Sequence, residues 1–515
     1  MRIGTNVAAI VANNALQKSQ NNLSTSIERL SSGYKINGSK DDAAGCAISE
    51  KMRAQIRGLS QAQNNTADGV SVLNTAEGAI TEIQSMLTRL KELSVQAAND
   101  VNSDDEREAI QKEIEQINNE IDRISDQTEF NTQSLINGNL SRRVYSDLQG
   151  VNQLSVSDSY TAGVYGITVT EDARQAIAVG AGSITMSSTA SITEEQAGAI
   201  NINGYKISIS EGDTLDKVMG KIIDGVNITG GSAFTVKDLN NDTAANGTDY
   251  AGYVPTADYA GSTLVIMTNQ YGSDQKMNIT CDNAELADIL GMPQAATQDG
   301  IYVEGSDVKA EIATGDDGKR IGFADSAILS TKGTVITVTD VNNKEFSMDV
   351  PGNAAGTVFD DSNNDGQSAA GAGTAKTISQ EVTDVGTMSI HVGANQDQVI
   401  VIDIPAITTY SLGTEHMNVM TQYTASRAIS TVDEAINKTN KIRSRIGAYE
   451  NRFDHTTNNL EVSSENLTKS LSTMIDTDMS EEMTTYTSET VLTQAATSIL
   501  AQANERPSQV LQLLQ

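Results

Sequence analysis

Near both ends of the chain, apolar residues recur at alternating steps of three and four positions. That spacing places them on one side of an α-helix. The stripes, which include the polar Gln63 and Thr66, are Ile48, Met52, Ile56, Leu59, Gln63, Thr66, Val70, Leu73, Ile80, Leu87 and Leu90; Ile110, Ile114, Ile117, Ile121 and Ile124; and Ile429, Val432, Ile436, Ile442, Ile446, Phe453, Leu460, Leu467, Leu471 and Met474. Ser103 and Glu106 have the spacing of a capping box, which marks a helix start. We predict long helices in the N-terminal and C-terminal parts of the chain. Each would bury its apolar stripe, which we call its seam, against the others.

The outermost segments, residues 3–30 and 491–514, carry scattered aliphatic residues among many polar ones and contain no aromatic residue. As an isolated pair, such helices are only marginally stable. We therefore predict that they polymerise with helices of other chains, through Val7, Ile10, Leu16, Leu23, Ile499, Leu500, Val510, Leu511 and Leu514. The alternative is that both segments are frayed termini.

The middle of the chain has a different pattern, with apolar residues alternating in steps of two, as in half-buried strands. Examples are Ile200–Ile202, Ile207–Ile209 and Val335–Val338, with a helix-like stretch at Leu215–Val226 and a turn at Asn342-Asn343. Of the 40 glycines, 31 lie in residues 138–405, so this region is unsuited to long helices. The predicted fold class is α plus β and multidomain: a long helical bundle or coiled coil from both termini, with β-rich central modules inserted.

Composition excludes several classes of function. The formal net charge is -32, with most of the acidic excess in residues 138–405, so nucleic acid and acidic membrane surfaces are unsuited as partners. No apolar run is long enough to span a membrane, and the N-terminus lacks the apolar core of a secretory signal. Two cysteines, Cys46 and Cys281, provide no disulfide framework.

Catalytic and metal chemistry find little support in the sequence. His391, His416 and His455 stand alone, and no HExxH motif is present. The stretch from Asp361 to Gly366 resembles the start of a calcium loop, but Ala372 stands at the position of the bidentate glutamate. We interpret that stretch as a polar turn, and we expect no enzymatic activity, no metal and no cofactor.

Several long stretches resemble bacterial flagellin. Residues 30–48 read LSSGYKINGSKDDAAGCAI, residues 88–96 read TRLKELSVQ, and residues 110–131 read IQKEIEQINNEIDRISDQTEFN. The C-terminal part has SRIGAYENRFDHTTNNL at 444–460 and AATSILAQANERPSQVLQLLQ at 495–515. The match is poor at residues 469–490, where the arginines of the family are missing.

The resemblance implies a structural subunit of the extracellular flagellar filament that self-polymerises for motility. Export through the flagellar channel without a cleaved signal peptide, a flagellar cap and an export chaperone are implied as well. The implied domains are an inner domain of terminal helices (1–41 and 475–515), a helical bundle (42–137 and 417–474) and a displayed β-rich region (138–416). A small inserted module is expected near 195–292.

The resemblance also implies contact with the host flagellin-sensing Toll-like receptor. The matching positions, shared with subunit contacts, are Leu87, Arg89, Leu93, Gln96, Glu113 and Arg452. Arg89 and Leu93 are expected to flank the buried seam and to form a small mixed patch on the surface. One alternative function is another flagellar axial protein, a hook–filament junction subunit or the cap. Another is an adhesive or immune-recognition ligand whose acidic middle is the binding surface.

Overall fold

The computed structural model describes residues 6–157, 160–187, 189–237, 259, 261–293, 295–298, 300–315, 318–340, 344–352, 359–360, 369–370, 375–383 and 385–513. Long helices lie toward both ends and short ones in the middle. Their bounds are α1 Val7–Ser32, α2 Ala43–Ala97, α3 Asp104–Gln127, α4 Leu215–Ile228, α5 Ala284–Ile289, α6 Ala295–Gln298, α7 Thr409–Leu412, α8 Gln422–Ile475 and α9 Met479–Leu513, with a 3₁₀ turn at Glu194–Gln196.

The strands between α3 and α7 pair in antiparallel fashion. Their bounds are β1 Glu129–Phe130, β2 Gln133–Ser134, β3 Val144–Ser146, β4 Asn152–Val156, β5 Gly163–Glu171, β6 Ile177–Val179, β7 Gly198–Ile202, β8 Tyr205–Ile209, β9 Gly231–Lys237, β10 Ser262–Thr268, β11 Lys276–Cys281, β12 Ile301–Glu304, β13 Lys309–Ile312, β14 Ile328–Lys332, β15 Val335–Thr339, β16 Glu345–Asp349, β17 Phe359–Asp360, β18 Ala369–Ala370, β19 Lys376–Val382, β20 Met388–His391 and β21 Val399–Ile402. The larger sheets have the orders β6-β10-β9, β12-β11-β7-β8, β13-β5-β19-β3 and β14-β15-β16-β4, and the hairpins are β1-β2, β17-β18 and β20-β21.

The chain forms two compact units whose boundaries fall inside the long helices α2 and α8. The first consists of Met1–Val70, Ile390–Ile400 and Asn451–Gln515, and the second of Ser71–Ser389 and Val401–Glu450. The predicted fold class, terminal helices with an inserted β-rich middle, is confirmed. The domain bounds expected from the sequence stay a prediction, and the turn expected at Asn342-Asn343 lies outside the described residues.

In the first unit, α1 and α9 pair along their lengths in antiparallel order. Asn6 Nδ2 donates to the Ala503 carbonyl (2.9 Å), and Ser26 Oγ donates to Glu482 (2.6 Å). Helix α1 begins where the Asn6 side chain accepts a hydrogen bond from Ala9 N. It ends before Gly33, whose φ of 78° is the left-handed conformation that glycine tolerates best.

The seam between α1 and α9 follows the coiled-coil spacing but contains few large apolar side chains. The residues of α1 that turn inward are Ala12, Leu16, Ser19, Leu23, Ser26 and Leu30, and those of α9 are Glu482, Tyr486, Glu489, Thr493, Ala496, Leu500 and Ala503. Polar side chains meet across it, since Ser19 and Asn22 both donate to Glu489. The pairing therefore depends on hydrogen bonds as well as on apolar burial.

In the second unit, the C-terminal half of α2 is covered by α3 and by the N-terminal half of α8. Arg443 of α8 binds Glu77 (2.6 Å), and Arg89 of α2 binds Glu113 of α3 (2.9 Å). From Leu59 onward, one buried stripe of α2 follows steps of three and four: Leu59, Ala62, Thr66, Gly69, Leu73, Ala76, Ile80, Ile83, Leu87, Leu90, Ser94 and Ala97. Val72 and Leu93, beside this stripe, are buried as well. Ile48, which the sequence pattern placed on the seam, is 46% exposed. The prediction that Ile48 is buried was therefore wrong. Small side chains, such as the adjacent Ser49, occupy the buried positions in that part of α2.

The β-rich middle has separate apolar cores. One unites the sheet β12-β11-β7-β8 with α4 through residues such as Ile200, Ile222 and Leu286. Another surrounds the rings of Tyr160, Tyr165, Phe323 and Phe346, with centroid separations of 5.3 Å between Tyr160 and Tyr165 and 5.1 Å between Tyr165 and Phe323. Both cores lie in the second unit and consist of residues from the β-rich middle, so this region has apolar cores separate from the packing of the long helices.

We expect the pairing of α1 with α9 to weaken in acid through Glu489. Hydrogen bonds from Asn22 and Ser19 favour its carboxylate and hold the pKa of Glu489 below its usual 4.5. A lowered folded-state pKa adds stability that is fully present above pH 4.5 and is lost as the pH falls through the lowered value. Glu489→Gln should therefore destabilise the helices at neutral pH, with the difference from wild type vanishing in acid.

Denaturant unfolding monitored by far-UV circular dichroism, repeated from neutral to acidic pH, measures this difference. Glu461→Gln, at an exposed position of α8 in the same unit, is the control. A Glu489→Gln effect that is the same at every pH would contradict the role of the ionised carboxylate.

Candidate functional site

Helices α1 and α9 carry large aliphatic side chains that the described residues leave largely exposed. Val7 is 64% exposed, Ile10 50% and Ile499 57%. The other exposed aliphatic side chains of these helices are Val11, Ile27, Val491 and Leu492. Scattered exposed apolar residues are ordinary on a protein surface, but a set concentrated on two paired helices is typical of an interaction surface. We call these seven side chains the outer aliphatic face.

The predicted polymerisation residues divide between this face and the seam. Val7, Ile10 and Ile499 lie on the outer aliphatic face, whereas Leu16 is 8% exposed and Leu23 and Leu500 are half-buried. The expectation that Leu16 awaits a helix of another chain is wrong, because it is already covered within its own chain. Val510 and Leu511 lie in α9, and Leu514 lies outside the described residues.

Val11 and Ile27 of α1, and Val491 and Leu492 of α9, were not among the predicted residues. The signal that identifies them is the polar seam: Glu482 and Glu489 face inward and bind α1. Once those two acids fix the inward face of α9, Val491 and Leu492 lie beside that face, and both are exposed.

A second candidate surface centres on Arg89 in the second unit. Its side chain is half exposed and forms ion pairs with Glu113 (2.9 Å) and with Glu92 (3.1 Å). The hydrogen bonds that Arg89 donates to Glu113, and then to Glu92, raise the pKa of Arg89, and the guanidinium is charged at every physiological pH. The structure thus brings Arg89 and Glu113 together, and it leaves Gln96 exposed on α2.

The other predicted residues of that surface lie elsewhere. Leu87 is fully buried and Leu93 is 1% exposed, so the expected surface patch of Arg89 and Leu93 is wrong. The reason is that α2 has helical neighbours on two sides here, α3 and α8, and its buried stripe is wider than one seam. Arg452 is exposed and belongs to the first unit.

Arg107 is a buried charged residue that the sequence pattern missed. It is 7% exposed, and its guanidinium donates to the carbonyls of Ala97 and Asn99 (3.2 Å each) at the C-terminal end of α2. These bonds satisfy carbonyls that have no partner within the helix. Arg107 thereby fixes the connection between α2 and α3 behind the Arg89 surface.

Metal ligation and membrane insertion find no support in the described residues. Within them, no group of three or more His, Cys, Asp or Glu side chains is arranged to hold a metal ion. None of the helices, as far as they are described, is both long and apolar enough to cross a bilayer. The calcium-like stretch from Asp361 to Gly366 lies outside the described residues.

Comparison with known proteins gives matches at both ends and along the whole length. Residues 3–141 match the family model of the bacterial flagellin N-terminal helical region, and residues 429–514 match that of the C-terminal helical region. Flagellin of Salmonella typhimurium is 32% identical over 537 residues, covering 99% of each chain. Polar flagellin A of Vibrio parahaemolyticus is 30% identical over 515 residues, covering 100% of this chain and 99% of the relative.

A solved structure of FliC from Burkholderia pseudomallei aligns with 75% of this chain and 99% of its own, at 13% identity and a TM-score of 0.22. That score is too low to bear on the assignment. The family assignment rests instead on the sequence identity to the relatives that match over their full length.

Proposed function

Because the chain belongs to the bacterial flagellin family and is a structural subunit of the flagellar filament, we propose that it polymerises by burying its outer aliphatic face against other copies. The observation that carries the proposal is the exposure of Val7, Ile10 and Ile499 on two helices that are already held together by a seam of mixed polar and apolar side chains. A half-exposed aliphatic side chain gains roughly 1 kcal/mol when an assembly covers it fully. Several such side chains on each chain, repeated along a polymer, supply a cooperative driving force for assembly.

Family membership supports the remaining expectations about the filament. We propose that the chain leaves the cell through the flagellar channel without a cleaved signal peptide, assisted by an export chaperone, and that it adds beneath a flagellar cap. We also propose the domain bounds given above, with the β-rich region of 138–416 displayed outward and no catalytic role for the chain. The alternative of another axial protein is disfavoured by the identity to flagellins over the full length of the chain.

A second proposed function is recognition of the free monomer by the host flagellin-sensing Toll-like receptor. What supports it is the exposed, fully charged Arg89 held between Glu92 and Glu113 on a rigid pair of helices. An arginine presented on a rigid surface is a typical hot spot of protein interfaces. Gln96 and Arg452 remain proposed contacts, whereas Leu87 and Leu93 are assigned to the packing of α2.

Substituting Ile499 tests the polymerisation surface. Ile499→Asn removes an aliphatic group from the outer face, so the concentration needed for seeded polymerisation should rise by about tenfold. Sedimentation of filaments against total protein concentration measures it. The control is Ile328→Asn, which changes an even more exposed isoleucine, on strand β14 of the middle region. Polymerisation of Ile499→Asn at the wild-type concentration would exclude this face.

Arg89→Ala and Leu93→Ala separate receptor contact from helix packing. Arg89→Ala should weaken binding to the receptor ectodomain by about thirtyfold, with a stability change within about 0.5 kcal/mol. Leu93→Ala should instead lower the free energy of unfolding by about 2–5 kcal/mol, because its side chain is buried. Surface plasmon resonance and denaturant unfolding provide the two measurements.

Arg123→Ala is the matched control, since Arg123 is equally exposed on α3 and pairs with Glu120. Receptor affinity of Arg89→Ala equal to that of Arg123→Ala would remove Arg89 from the receptor surface.

A further inference from the structure

A cleft in the second unit lies where the first turns of α3 and α8 meet the sheet β12-β11-β7-β8. Its volume is about 410 Å³, which is within the range of pockets that hold small organic ligands. Three tyrosines from different elements line it: Tyr205 of β8, Tyr302 of β12 and Tyr423 of α8. Tyr302 is 50% exposed, so its ring is not engaged in core packing. In a chain with only 4% aromatic residues, three rings around one cleft are a concentrated feature.

The sheet wall of the cleft is held rigidly by the turn between β7 and β8. Asn203 and Gly204 both have positive φ, the conformation of a tight hairpin turn. The backbone N–H of Asn203 donates to the Asn278 carbonyl (2.9 Å), and Asn278 N donates back to Asn203 Oδ1 (2.8 Å). Asn203 Nδ2 also donates to the Lys276 carbonyl (3.2 Å). The wall that carries Tyr205 and Tyr302 is therefore preformed.

The charges that line the cleft nearly balance. Lys276 binds Glu304 (2.7 Å) and lies 5.9 Å from the centroid of the Tyr302 ring. Arg107 is held by backbone carbonyls of α2 and its following loop. Asp100 and Asp104 supply carboxylates at the opposite wall. A ligand bound in this cleft would contact aromatic rings, carboxylates and amide groups. The cleft has no excess of positive charge that would favour an anionic ligand.

We propose that this cleft binds a neutral oligosaccharide. A pyranose ring has an apolar C–H face that stacks on an aromatic ring, and hydroxyl groups at its edge that bind carboxylates and amides. Tyr302 and Tyr423 provide the stacking faces, and Asp104, Asn203 and Gln422 provide acceptors and donors for the hydroxyl groups. The formal net charge of -32 repels acidic sugars, so the specificity is for uncharged ones. This proposal does not rest on the polymerisation surface proposed above, which lies on α1 and α9.

The test is saturation-transfer NMR of the full-length monomer with cellotriose, maltotriose and triacetylchitotriose, and with trigalacturonate as the acidic sugar. At least one neutral trisaccharide should bind at millimolar concentration, and trigalacturonate should bind more weakly or not at all. Tyr302→Ala should weaken the binding by about fivefold to tenfold, which corresponds to the loss of one stacking contact. Tyr302→Phe keeps the ring and should retain most of the affinity.

Tyr145→Ala is the matched control, because Tyr145 is 55% exposed and also lies on an edge strand, β3, of another sheet. It should leave the affinity unchanged. The proposal is overturned if no neutral trisaccharide binds, which would make the cleft a water-filled gap. It is overturned equally if trigalacturonate binds as tightly, if Tyr302→Phe loses as much affinity as Tyr302→Ala, or if Tyr302→Ala and Tyr145→Ala behave alike.

Discussion

The pairing of α1 with α9 determines how this molecule works. Their seam mixes polar side chains with small and aliphatic ones, and Glu482 and Glu489 of α9 accept hydrogen bonds from α1 across it. Such a seam aligns the two helices by hydrogen bonds as well as by apolar burial. Further large aliphatic side chains, among them Val7 and Ile499, remain exposed on the two helices. We infer that they become buried when the chain assembles.

The second unit shows the opposite arrangement. There α2 has neighbours on two sides, and Leu87, Leu90 and Leu93 are all buried within one chain. Ion pairs such as Arg443–Glu77 are at the margins of that packing and add specificity more than stability. This part of the chain is complete as a monomer, so it can present a fixed surface around Arg89 and a preformed cleft around Tyr302. We infer that this contrast, between a unit packed within one chain and termini with exposed aliphatic side chains, is the physical basis of polymerisation.

The extent to which the sequence predicted the structure follows from the size of the side chains involved. The three-four spacing predicted the long helices, because Ile110, Ile114 and Ile121 are large and mark the buried stripe by themselves. It could not find Ala62, Gly69 and Ala76, since small buried residues resemble surface residues when only large apolar positions are considered. It misplaced Leu93 and Leu16 for a related reason: how wide a buried stripe is depends on how many neighbours a helix has, and that is a property of the tertiary fold. The Tyr205–Tyr302–Tyr423 cleft was equally out of reach, because it unites residues more than 200 positions apart.

A helical reconstruction of the assembled filament, at a resolution that shows side chains, tests the central claim most directly. The outer aliphatic face is predicted to be buried between neighbouring copies, with Val7, Ile10 and Ile499 in van der Waals contact with helices of other subunits, while Glu482 and Glu489 keep their bonds to α1 of the same chain. A filament in which Val7, Ile10 and Ile499 face solvent, and the subunits meet through the β-rich region instead, would contradict it.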